Sequence, residues 1–233
     1  SPLIPAEAIP IIEPFKVRVI TKGPAAPYFL ANQFQKVLTS RMKSSWLRKF
    51  FPAIVGTLDP SHFEKFSKYK WLLSGDYKGA TDTLRSSVSR HVIRRLVKLV
   101  ADHGNQQWFD LDSSYFGLGE ILEACLCDHA ISYPKKFNGK CFAMPAPSIQ
   151  QSRGQVMGSF LSFPILNIVN LAINLWYYAR YVDRANDIST AEEMFWSDDW
   201  KDYPLLVNGD DVFMGSDIGF HGWERVVGLV GFR

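Results

Sequence analysis

Leu205-Leu206-Val207-Asn208-Gly209-Asp210-Asp211-Val212-Phe213-Met214 sets apolar residues on both sides of a short polar centre. Asn-Gly between two apolar runs is the strongest short-range signal for a hairpin, because both residues tolerate the left-handed backbone of a tight turn. The flanks therefore predict two short strands, with Asp210 and Asp211 at the tip or just beyond it. Adjacent carboxylates beside an apolar hairpin repel each other unless positive charge stands nearby. A divalent cation, which prefers oxygen ligands, would supply it. Taken alone, Asn208-Gly209-Asp210-Asp211 reads more readily as a hydrogen-bonding polar turn, so the decision falls on the rest of the chain.

The 233 residues are 47% hydrophobic, enough for a real core in one or two domains. Lys plus Arg number 26 against 23 Asp plus Glu, a net charge of +3. This weak basicity permits a nucleic-acid partner without requiring one. Cys125, Cys127 and Cys141 are odd in number and irregular in spacing. They match neither a disulfide framework nor a zinc site, and a reducing compartment suits them. The longest apolar stretch, Phe160 to Tyr178, is broken by Ser162, Pro164, Asn167, Asn170 and Asn174, so no transmembrane segment is expected. The chain opens Ser-Pro-Leu-Ile-Pro, with neither a signal peptide nor an initiator Met, and both ends read as cut from something longer.

Upstream of the hairpin, Tyr181 to Asp202 is acidic and polar and reads as a surface excursion. Before it, Ser152-Arg153-Gly154-Gln155-Val156-Met157-Gly158-Ser159 is a glycine-punctuated loop, where Gly154 and Gly158 allow close approach of a ligand. It leads into a helix over 162–179, with Ser162 as cap and Pro164 in the first turn. Asn167, Asn170 and Asn174 share one face of that helix. Such a ladder needs partners, which crossing hydrogen bonds, a ribose or a template strand could each supply. Trp71-Leu72-Leu73-Ser74-Gly75-Asp76 reads as a short buried strand ending on an acid, a costly place for a carboxylate unless it is paired or metal-bound. A turn at Lys78-Gly79 follows, and a helix from Thr81-Asp82 to His103. Phe15 to Gly23 alternates apolar and basic residues, a strand presenting Lys16, Arg18 and, beyond it, Lys22. Such a strand is either a charge-protected edge or a cradle for polyphosphate. Four prolines make residues 1–14 extended or looping chain. Apolar spacing predicts a helix from Pro27 to Leu47, a short one from Ser61 to Lys70, and others over Phe116–Asp128 and Phe220–Leu229. Lys136 to Phe142 holds a second Asn-Gly hairpin signal.

If the strands ending in Asp76 and Asp210 are neighbours, their acids converge, and oxygen-only ligation suits Mg²⁺ or Mn²⁺. With the basic strand and the glycine loop, the set describes a two-metal phosphoryl-transfer site.

In residues and order, these motifs resemble the palm of viral RNA-dependent RNA polymerases, closest to the botourmiavirus (ourmia-like) and narnavirus group. Lys16 to Lys22 resembles the finger motif that holds the incoming triphosphate. Asp76-Tyr77-Lys78-Gly79-Ala80-Thr81-Asp82 resembles the first palm motif. Gly154 to Pro164, continued by Asn167 or Asn170, resembles the second. Asn208-Gly209-Asp210-Asp211 resembles the third, and Trp223 to Gly231 the start of the fourth.

The resemblance implies an α/β (α+β) fold, a right-hand polymerase palm with a small antiparallel sheet packed on helices, plus partial fingers. Residues 1–70 would be partial fingers with the triphosphate-binding strand, and 71–103 palm. Residues 104–150 would be a fingers-like insertion or palm connector, and 151–233 palm, stopping before the thumb. It implies RNA-directed RNA polymerase activity replicating a positive-strand RNA virus genome. Asp76, Asp210 and Asp211 would be the catalytic and metal-holding acids for two Mg²⁺ or Mn²⁺ ions. Lys16, Arg18 and Lys22 would bind the triphosphate, and Asp82, Ser162 and Asn167 would select the ribose. Arg153, Gly154, Gly158 and Ser159 would form the template and nucleotide loop. The expected partners are template RNA, nascent RNA and NTPs, and the expected location is host cytoplasm, with the mitochondrion as alternative. A reverse-transcriptase-like palm polymerase and a catalytically inactive RNA-binding scaffold are the competing readings. The family's fourth-motif lysine, fifth motif and thumb are absent from these residues, so this chain taken alone is expected to be inactive.

Overall fold

A computed structural model describes residues 3–103, 117–133, 136–137, 140–141, 148–182 and 203–233. The chain forms two compact units, each built from two segments: Ser1–Lys36 with Thr81–Ile165, and Val37–Ala80 with Leu166–Arg233.

The first unit holds a four-stranded mixed sheet in the order β2-β1-β4-β7. Strands β1 (Ile4–Glu13) and β2 (Lys16–Lys22) form a long antiparallel hairpin, with Glu13 opposite Lys16. Its turn carries Phe15 at a φ of 69°. The proline-rich start is thus a full strand. Among the described residues, β1 beyond Glu7 has only β2 beside it, because the parallel pairing with β4 (His129–Ser132) ends there, so Pro10 costs the sheet no described bond on that side. The two-residue strand β7 (Ile149–Gln150) closes the sheet. Strands β5 (Lys136–Phe137) and β6 (Lys140–Cys141) pair as the second Asn-Gly signal predicts, and the turn residues lie outside the described set.

Helix α1 (Ala25–Ser44) begins in this unit. Where one helix was expected from Thr81, a single turn, α4 (Ala80–Thr83), is followed by α5 (Ser86–His103). Helix α5 is clasped to α6 (Leu118–Cys127) by charge. Arg94 Nε donates to the buried Glu123 (2.6 Å), and Arg90 donates to Asp128 (2.8 Å) and Glu123 (3.4 Å). Cys125 and Cys127 are buried free thiols, and burial pushes both up to about 12, which keeps them protonated and inert.

The second unit holds a three-stranded antiparallel sheet, β3 (Trp71–Asp76), β9 (Asp211–Ser216) and β8 (Leu205–Asn208), with β9 central. Leu205 pairs with Met214 and Val207 with Val212, so four buried side chains share one face. On the opposite face Phe213 meets Phe66 (ring centroids 4.8 Å) and Phe63 (5.3 Å) edge to face, beside α3 (Ser61–Glu64). Strand β3 is less buried than its apolar run implies: Trp71 is 52% and Leu72 54% exposed. Two short pieces, Trp46–Lys49 and α2 (Pro52–Val55), lead from α1 to the sheet, and Val207 N–H donates to the Phe50 carbonyl (2.8 Å). Helix α7 (Ser162–Tyr177) enters from the first unit and continues as a π-helical turn, Tyr178–Val182; helix α8 (Trp223–Val227) follows the sheet. The fold is therefore mixed α/β, with a small antiparallel sheet packed against helices.

In the first unit, buried His129 lies between Tyr28 Oη (3.0 Å from Nε2) and Gln151 Oε1 (2.9 Å from Nδ1). Burial holds its imidazole below the ordinary 6.5. The unfolded chain therefore takes up a proton below 6.5 that the folded chain refuses. The stability present above that pH is lost as pH falls through it toward the depressed value. Urea midpoints should fall between pH 7 and pH 5, and His129→Gln should flatten that slope.

Candidate active site

Three of the expected acids come together at one end of the second unit's sheet. Asp76 and Asp211 are cross-strand partners in the β3–β9 ladder. Directly opposed residues project from the same face. The hairpin turn falls one residue later than the Asn-Gly signal suggests. Asn208 pairs with Asp211, leaving Gly209 and Asp210 as the two loop residues, with Gly209 at a φ of 65°. Only glycine holds that left-handed position at no steric cost. Asp210 is therefore at the tip and Asp211 on the strand. Burial, then the charges of Asp210 and Asp76, push the Asp211 carboxyl above its ordinary 3.8. Beside it a cavity of about 190 Å³ is lined by Phe63, Ser74, Asn208, Asp211 and Phe213 among others.

Behind the turn runs the asparagine face of α7. Asn167, Asn170 and Asn174 are all 0% exposed. Asn167 Oδ1 accepts from the Gly209 N–H (2.9 Å), and Asn170 Nδ2 donates to the carbonyls of Gly209 (2.9 Å) and Asp211 (3.2 Å). Tyr77 Oη donates to Asn170 Oδ1 (3.1 Å). The Tyr77 ring is stacked on Trp223 (5.7 Å) and Phe232 (4.2 Å). The sequence offers no signal for Tyr77 or Trp223 beyond their place within the motif segments.

The remaining expected residues, apart from Asn167, lie in the first unit. Gly154 has a φ of 74°, and a Cβ there would stand 2.4 Å from the Thr81 carbonyl oxygen and 2.7 Å from that of Asp82. The loop thus grips the backbone of α4, and Arg153 Nε donates to the Thr83 carbonyl (3.2 Å). Gln155, which sequence reasoning passed over, is the buried hub. Its N–H donates to the Thr81 carbonyl (2.7 Å), its Nε2 to Ser89 Oγ (3.0 Å), and its Oε1 accepts from Ser162 Oγ (3.1 Å). Gln151 Nε2 donates to the Gly154 carbonyl (3.0 Å). Ser159 is buried, with its Oγ accepting from Leu161 N–H (3.4 Å), and the Asp82 side chain is exposed.

Gly158 is pressed on β2: a Cβ would fall 1.5 Å from the Thr21 carbonyl oxygen. This sets the loop against the residue before Lys22. Lys16 and Arg18 stand further along the exposed hairpin, and both face Glu13, at 3.8 and 2.8 Å. Exposed pairs of this kind contribute little.

The acids fit a hard divalent cation in donor chemistry and in charge. Among the described residues no group of three or more His, Cys, Asp or Glu side chains could hold one ion. Mg²⁺ does not need such a cage, since it is commonly held by one or two carboxylates together with waters and substrate phosphates.

No family model matches the chain. The RNA-dependent RNA polymerase of Ourmia melon virus (isolate Melon/Iran/VE9) is 31% identical over 230 residues, 95% of this chain and 24% of that protein. The chain thus spans about a quarter of that relative, and the two are distant homologues over this stretch. Among solved structures, telomerase from Candida albicans in complex with the TWJ fragment of telomeric RNA is similar at a TM-score of 0.47 and 16% identity. That match covers 91% of this chain and 38% of the telomerase chain. Apo telomerase from Candida tropicalis, truncated from its C-terminal domain, is similar at 0.45 and 13%, over 90% of this chain and 43% of that one. Likenesses this slight carry no argument about function. No helix among the described residues is long and apolar enough to cross a membrane.

The raised Asp211 carboxyl gives a stability test. Its ionised form is disfavoured by folding, so the full cost stands above the raised value. It is relieved as pH falls through that value toward 3.8, where the unfolded carboxyl also protonates. In EDTA, Asp211→Asn should unfold at higher urea than the parent at pH 8, and the gap should close by pH 3.5. A less stable variant at pH 8 would contradict this electrostatic picture.

Proposed function

We propose that this chain carries the acid hairpin and nucleotide-handling segments of a palm-type polymerase, a template-directed nucleotidyltransferase. The observation that carries it is the pairing of Asp76 with Asp211 beside the Asp210 turn. The RNA-directed RNA polymerase form is supported by the Ourmia melon virus relative, which is 31% identical over a match covering 95% of this chain. On this reading the whole protein copies the genome of a positive-strand RNA virus from an RNA template and NTPs, in host cytoplasm.

Asp76 and Asp210, with Asp211 beside them, would hold two Mg²⁺ or Mn²⁺ ions. Bound there, such ions lower the pKa of an attacking 3′-hydroxyl and neutralise the departing pyrophosphate. The acids' own task is to fix where that positive charge sits. Lys16, Arg18 and Lys22 meet the triphosphate, with Glu13 giving way at the first two. Arg153, Gly154, Gly158 and Ser159 shape the loop for template and nucleotide. Asp82 and Ser162 read the ribose 2′-hydroxyl, a group that both donates and accepts. Asn167 would have to release Gly209 to take the ribose role that the resemblance implies.

The acid geometry is common to RNA- and DNA-synthesising palms, so a reverse-transcriptase-like enzyme is equally compatible with it. A catalytically silent RNA-binding scaffold is the reading supported by the lack, among the described residues, of a three-ligand metal cluster.

Incorporation of labelled NTP and dNTP on an RNA template, with Mn²⁺ or Mg²⁺, separates the three. The whole protein, of which this chain would be a part, should incorporate NTP in preference to dNTP, and Asp210→Asn in it should reduce this to background. A preference for dNTP would favour reverse transcription. Tight template binding with no incorporation by the parent would leave the scaffold.

A further inference from the structure

The hydrogen bonds between α7 and the acid hairpin have a polarity set from one end. The indole Nε1 of Trp223 can only donate, and it donates to Asn174 Oδ1 (2.7 Å). This turns Asn174 Nδ2 toward Tyr77 Oη (3.1 Å) and Asn170 Oδ1 (2.7 Å). With Tyr77 Oη also donating to it, Asn170 Oδ1 receives two donors. Asn170 Nδ2 must then face the hairpin, where two carbonyls await a donor. Asn167 completes the grip by accepting the Gly209 N–H. The Gly209 residue is thus held at both its N–H and its carbonyl by side chains with no solvent exposure.

We propose that Asn167 and Asn170 are positioning residues that hold the Asp210–Asp211 turn in place, and that Tyr77 ties the Asp76 strand to the same ladder. Tyr77 directly follows Asp76, and Gly209 directly precedes Asp210, so one ladder spaces both acid-bearing strands. The three carboxylates repel, and a two-residue loop with a left-handed glycine offers little resistance by itself. The ladder supplies that resistance from behind, through the Gly209 N–H and the Gly209 and Asp211 carbonyls. Asn167 acts through Gly209 and does not read a ribose. The consequence for metal binding rests on the polymerase reading, while the grip on the turn does not.

Two readouts on the same variants test this. Hydrogen–deuterium exchange follows the turn, and Mn²⁺ titration by electron paramagnetic resonance follows the acids. Asn167→Ser and Asn170→Ser should each speed exchange at residues 208–211 by about tenfold, with β1–β2 unchanged, and weaken Mn²⁺ binding by a similar factor. Tyr77→Phe keeps the ring stack and removes only the hydroxyl, and should loosen the turn by a smaller factor. NTP-over-dNTP preference should survive in Asn167→Ser.

Parental exchange at 208–211 in all three variants would overturn the proposal. So would a loosened turn with unaltered Mn²⁺ affinity, or loss of ribose discrimination in Asn167→Ser with the turn intact. Mn²⁺ binding that is the same in Asp210→Asn as in the parent would instead sink the polymerase reading, and exchange at the turn would still decide the clamp.

Discussion

Gly209 is gripped at its N–H by Asn167 and at its carbonyl by Asn170, and the geometry of the acids depends on that grip. At a cross-strand spacing of about 5 Å, two carboxylates repel by about 0.8 kcal/mol in water and about 3 kcal/mol at an effective dielectric of about 20. Three hydrogen bonds, two of them buried, reach the turn from α7. At about 1 kcal/mol each, they match the repulsion they oppose. The sheet's apolar face adds a second restraint, since Leu205, Val207, Val212 and Met214 fix the register that puts Asp211 opposite Asp76. A slip of one residue would send Asp211 to the other face. Function and fold are in tension here, because the carboxylates that would do the chemistry are those that strain the sheet's end.

The first unit solves a different problem with glycines and one glutamine. Gly154 and Gly158 let the loop touch the backbones of α4 and β2 at distances no side chain permits. Gln155 then spends its backbone N–H and both side-chain polar atoms inside the unit, on Thr81, Ser89 and Ser162. A buried polar group satisfied this fully specifies one arrangement, since any other leaves it unpaired at a cost of about 1–3 kcal/mol. The loop is therefore a fixed surface, against which Asp82 and Ser162 are held through their neighbours.

Much of this was readable from local pattern. Alternation marks β2, apolar runs around an Asn-Gly turn mark β8 and β9, apolar spacing marks α1 and α6, and a cap with a first-turn proline marks α7. The asparagine ladder could be seen to need partners, and its partners are crossing bonds. What local pattern could not show is which ones: the Gly209 peptide, Tyr77 and Trp223 come from distant sequence. The turn is displaced by one residue because register is set by the pairing of Leu205 with Met214, not by the turn's own preference. Prolines concealed β1, whose neighbours come from β2 and from β4 far along the chain. Lys16 and Arg18 were legible as a charged face, but their partner Glu13 lies across a turn whose Phe15 adopts a left-handed backbone that no pattern announces. Gln155 carried no signal, since a polar residue in a glycine loop looks solvated until its neighbours are known. Nor does sequence order reveal that each compact unit is made of two separated segments.

A polymerase palm requires the end of the β3–β9–β8 sheet to be a metal site. Diffraction from crystals soaked in Mn²⁺, collected for its anomalous signal, measures this directly. The expected result is a peak within about 2.2 Å of carboxylate oxygens of Asp76 and of Asp210 or Asp211, lost in Asp210→Asn, with the hairpin otherwise unmoved. Saturating Mn²⁺ with no peak at that end of the sheet, or with peaks only elsewhere, would contradict it.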